Sequence, residues 1–391
     1  MTTPDVKTVP YRVLARKYRP RNFSEVIGQD AVICTLKNAI DSGRIPHAYL
    51  LTGIRGTGKT TIARLIARAL NYTGPDGKGR PTTGPTDDCK ICSAIAEDSC
   101  TDVREVDAGD ATGIENIRRI IEDVHYAPLE ARYKIYIIDE VHGLAESNKS
   151  FGALLQTLEE PPSNVIFILS TTAIRKVPIT MQSRCQRFDL RRVDLPTLTA
   201  HYAKVCVLEK VQAEEEALGL IARAADGSVR DGLSLLDQAI ALGGDNVSVQ
   251  LVRDMLGMGD RQQVLDLLEN ALTGDCAKAL DVMGDMFRAG TDPMILIKEL
   301  LSFTHLLTRL RAVSDIKDFR GALSQDSLAR ATVLAASLNI PVLDRAWQIL
   351  LKGLREVRTA SNPQVSAESV IIQLNYAVGR PDVAKLLKTI N

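Results

Sequence analysis

The chain has 391 residues, with 48 Lys+Arg balanced by 48 Asp+Glu and only 4% aromatic residues. That length leaves room for two or three domains, each large enough to bury its own core. Zero net charge excludes a globally basic nucleic-acid binder but leaves local basic strips open, and so few aromatics argue against a surface that stacks many unpaired bases.

The seven cysteines are scattered and odd in number, unlike a disulfide framework. No run approaches the roughly 18 apolar residues needed to span a bilayer. The opening "MTTPDVKTVPYRVLARKYRPRNF" lacks the apolar h-region of a secretory signal. A soluble, cytoplasmic protein is the expectation.

In chain order, short β-branched runs alternate with amphipathic helical patterns up to about residue 190. The runs are "AYLLTG" (48–53), "VREVDA" (103–108), "YKIYIIDE" (133–140) and "NVIFILSTT" (164–172). Such alternation predicts a mostly parallel sheet with helices on both faces. Between the first two runs, "NYTGPDGKGRPTTGPTDDCKIC" (71–92) is dense in Gly, Pro and Thr. It predicts an exposed insertion outside the sheet. After about residue 195 the β signal nearly disappears. Val264, Leu265, Leu267, Leu268, Ala271 and Leu272 recur at helical spacing, as do Leu296, Leu300, Phe303, Leu307 and Leu310, so the C-terminal half reads as all-helical.

"GIRGTGKT" (53–60) satisfies G-x-x-x-x-G-K-[ST] in full, between the apolar run "AYLLT" and the helical pattern "TIARLIARAL". That strand–loop–helix context is what a phosphate-cradling loop requires. Gly53, Gly56 and Gly58 would let successive N–H groups and a helix N-terminus face the β-phosphate. Lys59 would supply a charge to the β- and γ-phosphates, and Thr60 a hydroxyl to Mg²⁺. "KIYIID" then reads as a buried strand ending in Asp139, placed to hold the Mg²⁺ shell, with Glu140 suited to polarise the attacking water.

The stretch "DEVH" (139–142) also occurs in one kind of helicase, but such helicases need a second strand-rich lobe, and the C-terminal half here is helical. His142 is therefore read as a loop residue near the site, without a catalytic role. "ILSTT" (168–172) is a further apolar strand whose hydroxyl tip either senses a γ-phosphate or caps a turn. Arg184, in "MQSRCQRF", is either a surface arginine or a finger offered to a neighbouring subunit's phosphate. In "DGSVRDGLSLLDQAI" (226–240), Leu233, Leu236 and Ile240 mark a buried helix face. Arg230, Ser234 and Asp237 form the polar stripe beside it, with Arg230 able to reach a nucleotide or simply to pair with a carboxylate.

These segments occur in an order that resembles the gamma/tau subunit of the bacterial DNA polymerase III clamp loader, an AAA+ ATPase. The segments are "KYRPRNFSEVIGQD", "GTGKTTIARLIARALN", "YKIYIIDEVHGL", "LLQTLEEPP", "TTAIRKVPITMQSRCQRFDLRR" and "GSVRDGLSLLDQAI". The resemblance is strong over about residues 10–245 and weaker beyond. It implies a P-loop AAA+ α/β core at 1–195 with an insertion at about 71–100, a small helical lid at 196–245, and a helical collar for oligomerisation at 246–391. It also implies that ATP is bound by Gly53, Gly56, Gly58, Lys59, Thr60 and Thr61, and that Mg²⁺ is held by Thr60 and Asp139. By the same likeness Glu140 activates water, Thr172 (with Thr171 as the alternative) is sensor 1, Arg184 in Ser183-Arg184-Cys185 is the trans-acting finger, and Arg230 is sensor 2. Residues 17–29 would line the adenine.

Members of the family often carry a four-cysteine zinc module in the insertion. Here Tyr72 and Ile95 stand where two of the cysteines would be, leaving Cys89 and Cys92 with Cys100 further on, short of the four ligands that structural zinc wants. Free thiols on a surface loop are the alternative reading. Gly143 stands in place of a usual Met, Gly152 of a usual Asn and Gln156 of a usual Lys. "DAGDATG" (107–113) is an unusual version of its loop. The two glycines would each lower local stability by up to about 1 kcal/mol.

The resemblance further implies a hetero-oligomeric ring with other clamp-loader subunits and several copies of this chain, a sliding clamp, and primer–template DNA held by its phosphates. The local DNA candidate is "ATGIENIRRIIEDV" (111–124), where Thr112 and Glu115 form a capping box and Arg118 or Arg119 would face a phosphate. The function expected is an ATP-driven motor that loads the sliding clamp, within a polymerase holoenzyme but not itself polymerising nucleotides. The alternatives are a non-hydrolysing stator-like subunit, opposed by the intact Lys59 and Asp139-Glu140, and another AAA+ DNA-processing machine, opposed by the Ser183-Arg184-Cys185 triplet.

Overall fold

The structure, a computed structural model, describes residues 12–109, 117, 119–146, 148–258, 261–312 and 325–378. The chain divides into two compact units, Met1–Ser248 and Val249–Asn391.

In the first unit the main sheet is built of β1 (Ala48–Thr52), β2 (Val103–Asp107), β3 (Lys134–Asp139), β4 (Val165–Thr171) and β5 (Gln186–Asp189). They form one parallel sheet in the order β2-β3-β4-β1-β5. The first four are the runs expected from the sequence. The fifth was not anticipated, because in "QRFD" only Phe188 is buried and four residues with one apolar anchor carry no strand pattern.

Alternation along the central strands feeds two cores at once. Tyr49, Leu51, Ile135, Ile137, Ile166 and Ile168 pack with α2 (Asp30–Asp41) and α3 (Lys59–Leu70). Ala48, Leu50, Tyr136, Ile138, Phe167 and Leu169 face the other way, toward Leu154 and Leu158 of the helix Asn148–Glu159. Strands buried on both faces are apolar throughout, which is why these runs show no polar alternation.

Because every strand runs the same way, the carboxyl ends gather at one edge. The register there sets Thr52 beside both Thr171 and Asp189, and Asp107 beside Asp139. In open parallel sheets that edge is where ligands bind.

The insertion stays out of the sheet, but it is not simply an exposed loop. Within it α4 (Lys90–Ala96) carries Ile95 into the core shared with α3. Cys89 and Cys92 are 1% and 0% exposed, so the reading of free surface thiols is corrected. Thr73 holds the Cys89 sulfur at 3.5 Å, and Cys92 donates to the Arg68 carbonyl at 3.3 Å.

Three helices follow the sheet: Leu195–Glu209, Glu215–Ala224 and Val229–Gly243. Asp194 and Ser228 cap the first and last of them through Thr197 N and Asp231 N. Leu233 and Leu236 are buried as expected, but Ala239 rather than Ile240 completes the fully buried face. A parallel ladder of two residues per strand, Gln212–Ala213 with Asn246–Val247, is the one β element that the helical reading of this region missed.

In the second unit all elements among the described residues are helices. Val264, Leu265, Leu267, Leu268, Ala271 and Leu272 form its core with Leu296, Leu300, Phe303 and Leu307. Leu310 packs at the margin. The helices Ile340–Thr359 and Pro363–Val378 approach so closely at Gly353 that a Cβ there would come within 2.5 Å of Val370. Among the described residues no helix is long and apolar enough to cross a membrane.

The two glycines expected to weaken the fold differ. At Gly143 a Cβ would lie 2.5 Å from the Ala108 carbonyl oxygen, so the position excludes any side chain and the expected cost does not apply. At Gly152 a Cβ would meet nothing within 4 Å. Gly152→Ala is therefore expected to stabilise the helix Asn148–Glu159 by about 0.5–1 kcal/mol, seen as a higher urea midpoint for the first unit.

Ahead of β2, the buried Asp102 carboxylate accepts from the backbone N–H groups of Leu129, Glu130 and Ala131, each at 2.8 Å. Burial alone would raise its pKa, but these three bonds outweigh burial and hold it below the usual carboxylate range. A carboxyl depressed in the folded state contributes stability above its unfolded pKa and loses it as pH falls through the folded value. Asp102→Ala should cost about 3 kcal/mol at pH 7, by leaving three donors without their acceptor. The difference from the natural chain in urea unfolding should narrow as acid protonates Asp102.

Candidate active site

The loop after β1 enters α3 through two glycines with different reasons to be there. Gly56 has φ +77°, and a Cβ on it would come within 1.9 Å of Ser228 Oγ. The Ser228 turn lies directly on the loop, and Arg230 N donates to the Gly56 carbonyl at 3.4 Å. Gly58 has φ +101° with open space around it, so its backbone angle rather than packing excludes a side chain.

Lys59 opens α3 and is only 6% exposed. Its Nζ donates to the carbonyls of Gly53 and Ile54, both at 3.0 Å. Burial pushes its pKa down, while the nearby carboxylates of Glu140 and Asp139 oppose that shift. Thr60 Oγ1 donates to Asp139 Oδ2 at 2.9 Å, across from α3 to the end of β3. The other oxygen of Asp139 accepts from Ser170 Oγ on β4 and from Glu140 N at 3.0 Å. Thr61 follows on the helix, half-buried.

Glu140 turns the chain with φ +48°. Its Oε2 accepts from Thr172 N at 2.9 Å and from Thr172 Oγ1 at 2.8 Å. His142 Nδ1 lies 3.1 Å from the same oxygen and 3.0 Å from Thr171 Oγ1.

These residues fit a nucleotide triphosphate with Mg²⁺. The loop has no room for a Cβ at Gly56, and a buried ammonium sits beside the N-terminus of a twelve-residue helix. N–H groups and an ammonium suit phosphate oxygens, and the Thr60 and Asp139 oxygens are hard ligands suited to Mg²⁺.

Of the residues singled out in the sequence, Lys59, Thr60, Asp139, Glu140 and Thr172 are brought together directly, and Arg230 abuts them through Gly56. Arg184 is not among them. It donates to the Thr180 carbonyl at 2.6 Å and pairs with Glu159. Within residues 17–29, the Gln29 amide brackets Arg191, donating to its carbonyl at 2.7 Å and accepting from its N–H at 3.1 Å.

The zinc candidates do not assemble. Among the described residues no three His, Cys, Asp or Glu side chains gather to hold a metal, so Cys100 does not join Cys89 and Cys92. Burial pushes the Cys92 thiol up. Burial also acts to raise Cys89, but hydrogen bonds from Thr73 and Cys92 outweigh it and bring that thiol down to about 7. Thr112, Glu115 and Arg118 lie outside the described residues, while Arg119 is exposed on its helix.

Family models match along most of the chain. The model described as "DNA polymerase III subunits gamma and tau domain III" covers residues 247–390, the clamp loader subunit's ATPase lid domain covers 197–245, and "DNA polymerase III, delta subunit" covers 28–194. DNA polymerase III subunit gamma of Buchnera aphidicola (subsp. Acyrthosiphon pisum) is 34% identical over 94% of this chain and 99% of its own length. The chain belongs to the DNA polymerase III gamma/tau family. Subunit tau of Salmonella typhimurium is 39% identical over 93% of this chain and 55% of its own length. For subunit tau of Bacillus subtilis the figures are 35%, 97% and 67%. The chain thus spans little more than half the length of the enterobacterial tau relative. Solved structures align loosely: the Thermotoga maritima RuvB branch-migration motor gives a TM-score of 0.46 at 18% identity, over 65% of this chain and 78% of its own.

The sequence motifs mark neither Ser170 nor Ser228, and assign His142 no catalytic role. Ser170 has a local signal as the first hydroxyl of "ILSTT". Ser228 has none, because its approach to Gly56 spans 172 residues of chain.

Gly56→Ala should weaken ATP binding by at least about tenfold while the protein stays folded, because the added methyl strikes Ser228. A fluorescent-nucleotide titration measures this.

Proposed function

We propose that this chain is an ATP-hydrolysing motor subunit of a DNA polymerase III clamp loader. The observation that carries the reading is the Thr60–Asp139 contact at 2.9 Å with Glu140 one residue on. It belongs to a chain matched by the gamma/tau, lid and delta-subunit family models along most of its length. An intact hydrolytic set speaks against a stator-like subunit.

Lys59 leaves the carbonyls of Gly53 and Ile54 and places its ammonium on the β- and γ-phosphates. Mg²⁺, bound with the nucleotide, neutralises phosphate charge. Thr60 and Asp139 would hold that ion. Glu140 takes up the proton of the attacking water, and Thr172 keeps the carboxylate in place while facing the γ-phosphate. Arg184 serves a neighbouring subunit, in keeping with its partners Thr180 and Glu159, which lie outside its own phosphate cluster. Arg230, bonded to the loop through its backbone, turns nucleotide occupancy into movement of the lid.

The cycle that these groups support is binding of ATP to open and hold a sliding clamp, and hydrolysis on entry of primer–template DNA to release it. The chain works in a ring with other clamp-loader subunits, in the cytoplasm with the chromosome, and does not itself polymerise nucleotides. DNA is held by its phosphates, for which Arg119 is an exposed candidate.

The test is steady-state ATP turnover by the chain reconstituted with its host's other loader subunits and clamp, using Lys59→Ala as the blank. Stimulation by primed DNA of about tenfold or more, absent in the blank, is expected. Turnover indifferent to primed DNA and clamp, or no turnover with ATP bound, would overturn the proposal.

A further inference from the structure

We infer that His142 is a positioning residue for Glu140, fixing the oxygen with which that carboxylate meets the attacking water. The inference rests on the ATPase reading of the site.

Two hydrogen bonds and a ring nitrogen converge on one oxygen. Glu140 Oε2 accepts from the N–H and the hydroxyl of Thr172, and His142 Nδ1 lies 3.1 Å from it. A carboxylate is an acceptor only, so the last contact is favourable only with a proton on Nδ1. Thr171 Oγ1 agrees with that tautomer. It accepts from Ala173 N at 3.0 Å and stands 3.0 Å from the same ring nitrogen, with a second lone pair left to accept the Nδ1 proton.

The two threonines come from the end of β4 and His142 from the turn after β3, so the imidazole ties two adjacent strand ends together across Glu140. Thr172 holds Oε2 through two hydrogen bonds, and His142 places its ring nitrogen beside the same oxygen from a second element. Contact from two elements holds Oε2 more firmly than Thr172 alone and opposes rotation of the carboxylate about its last torsion. Oε1 accepts none of these bonds and remains the oxygen for the water's proton.

The backbone supports this role. Glu140 holds φ +48°, unusual for a residue with a side chain, and Gly143 N donates back to the Glu140 carbonyl at 2.8 Å. The missing Cβ at Gly143 lets this turn lie against the Ala108 carbonyl, so the imidazole projects from a tightly packed turn. The polar partners of His142 are Glu140 and Thr171, while Lys59 and Thr60 bond elsewhere, so its removal should spare nucleotide binding.

The test exploits the two ring nitrogens. Asparagine at 142 places an amide donor near the position of Nδ1, and glutamine places one near that of Nε2. ATP turnover stimulated by primed DNA is measured in the reconstituted loader for the natural chain and for His142→Ala, His142→Asn and His142→Gln, together with fluorescent-nucleotide affinity and melting temperature. The expectation is that kcat falls by about tenfold or more in His142→Ala, with nucleotide affinity within about twofold. His142→Asn should recover to within about threefold of the natural chain, and His142→Gln should not.

An alanine variant with unchanged or raised kcat would overturn the inference. So would parallel loss of kcat and nucleotide affinity, or equal rescue by asparagine and glutamine. If the alanine variant fails to fold, the asparagine–glutamine contrast alone decides. Failure of the natural chain to turn over ATP above the Lys59→Ala blank would instead sink the ATPase reading.

Discussion

A single hydrogen bond, from Thr60 at the start of α3 to Asp139 at the end of β3, measures whether the site exists. It forms only if the P-loop helix is delivered at the height of the sheet's carboxyl edge. The register that places Thr52 beside Thr171 and Asp107 beside Asp139 sets that height. A slip of one residue in a strand buried on both faces would exchange the contents of its two cores. The packing that stabilises the sheet thus also aims the candidate site groups.

Around that bond the polar groups form one connected system. Asp139 receives Thr60, Ser170 and the Glu140 N–H, and Glu140 in turn receives Thr172, with His142 Nδ1 3.1 Å away. Partly buried networks of this kind stay favourable when their members are satisfied, and here the acceptors are carboxylates and the donors lie on three different elements. Gly56 extends the system outward, since the Ser228 turn and Arg230 N rest on the loop. A change at the phosphates therefore has a direct backbone route to the helix Val229–Gly243.

The departures from the family pattern look different once packed. Gly143 fits a tight turn against Ala108, so it belongs with the unusual loop at 107–113 rather than with helix-weakening substitutions. In the insertion, Ile95 has joined the hydrophobic core where the family often places a zinc ligand. Cys89 and Cys92 have become buried thiols with local hydrogen-bond partners. Apolar packing and hydrogen bonds occupy that position without a cluster of metal ligands among the described residues.

What the sequence by itself determined was local: four of the five strands, the helical second half, the P-loop and the Asp139-Glu140 pair. Each of these is written in a contiguous stretch, as an apolar period or as residue types at fixed spacing. β5 stayed hidden because one buried Phe188 makes no pattern. The sulfurs of the insertion looked exposed because Gly, Pro and Thr around them speak for turns and say nothing of what the turns cover. Only the tertiary structure decided that Ser170 supports Asp139, that Ser228 forbids a side chain at Gly56, and that His142 reaches Glu140 and Thr171 together. Ser228 and Gly56 meet across 172 residues of chain, and His142 meets Thr171 across 29, between strands that become neighbours only by pairing. Periodicity and motif spacing hold no record of such contacts, because strand order and side-chain packing create them.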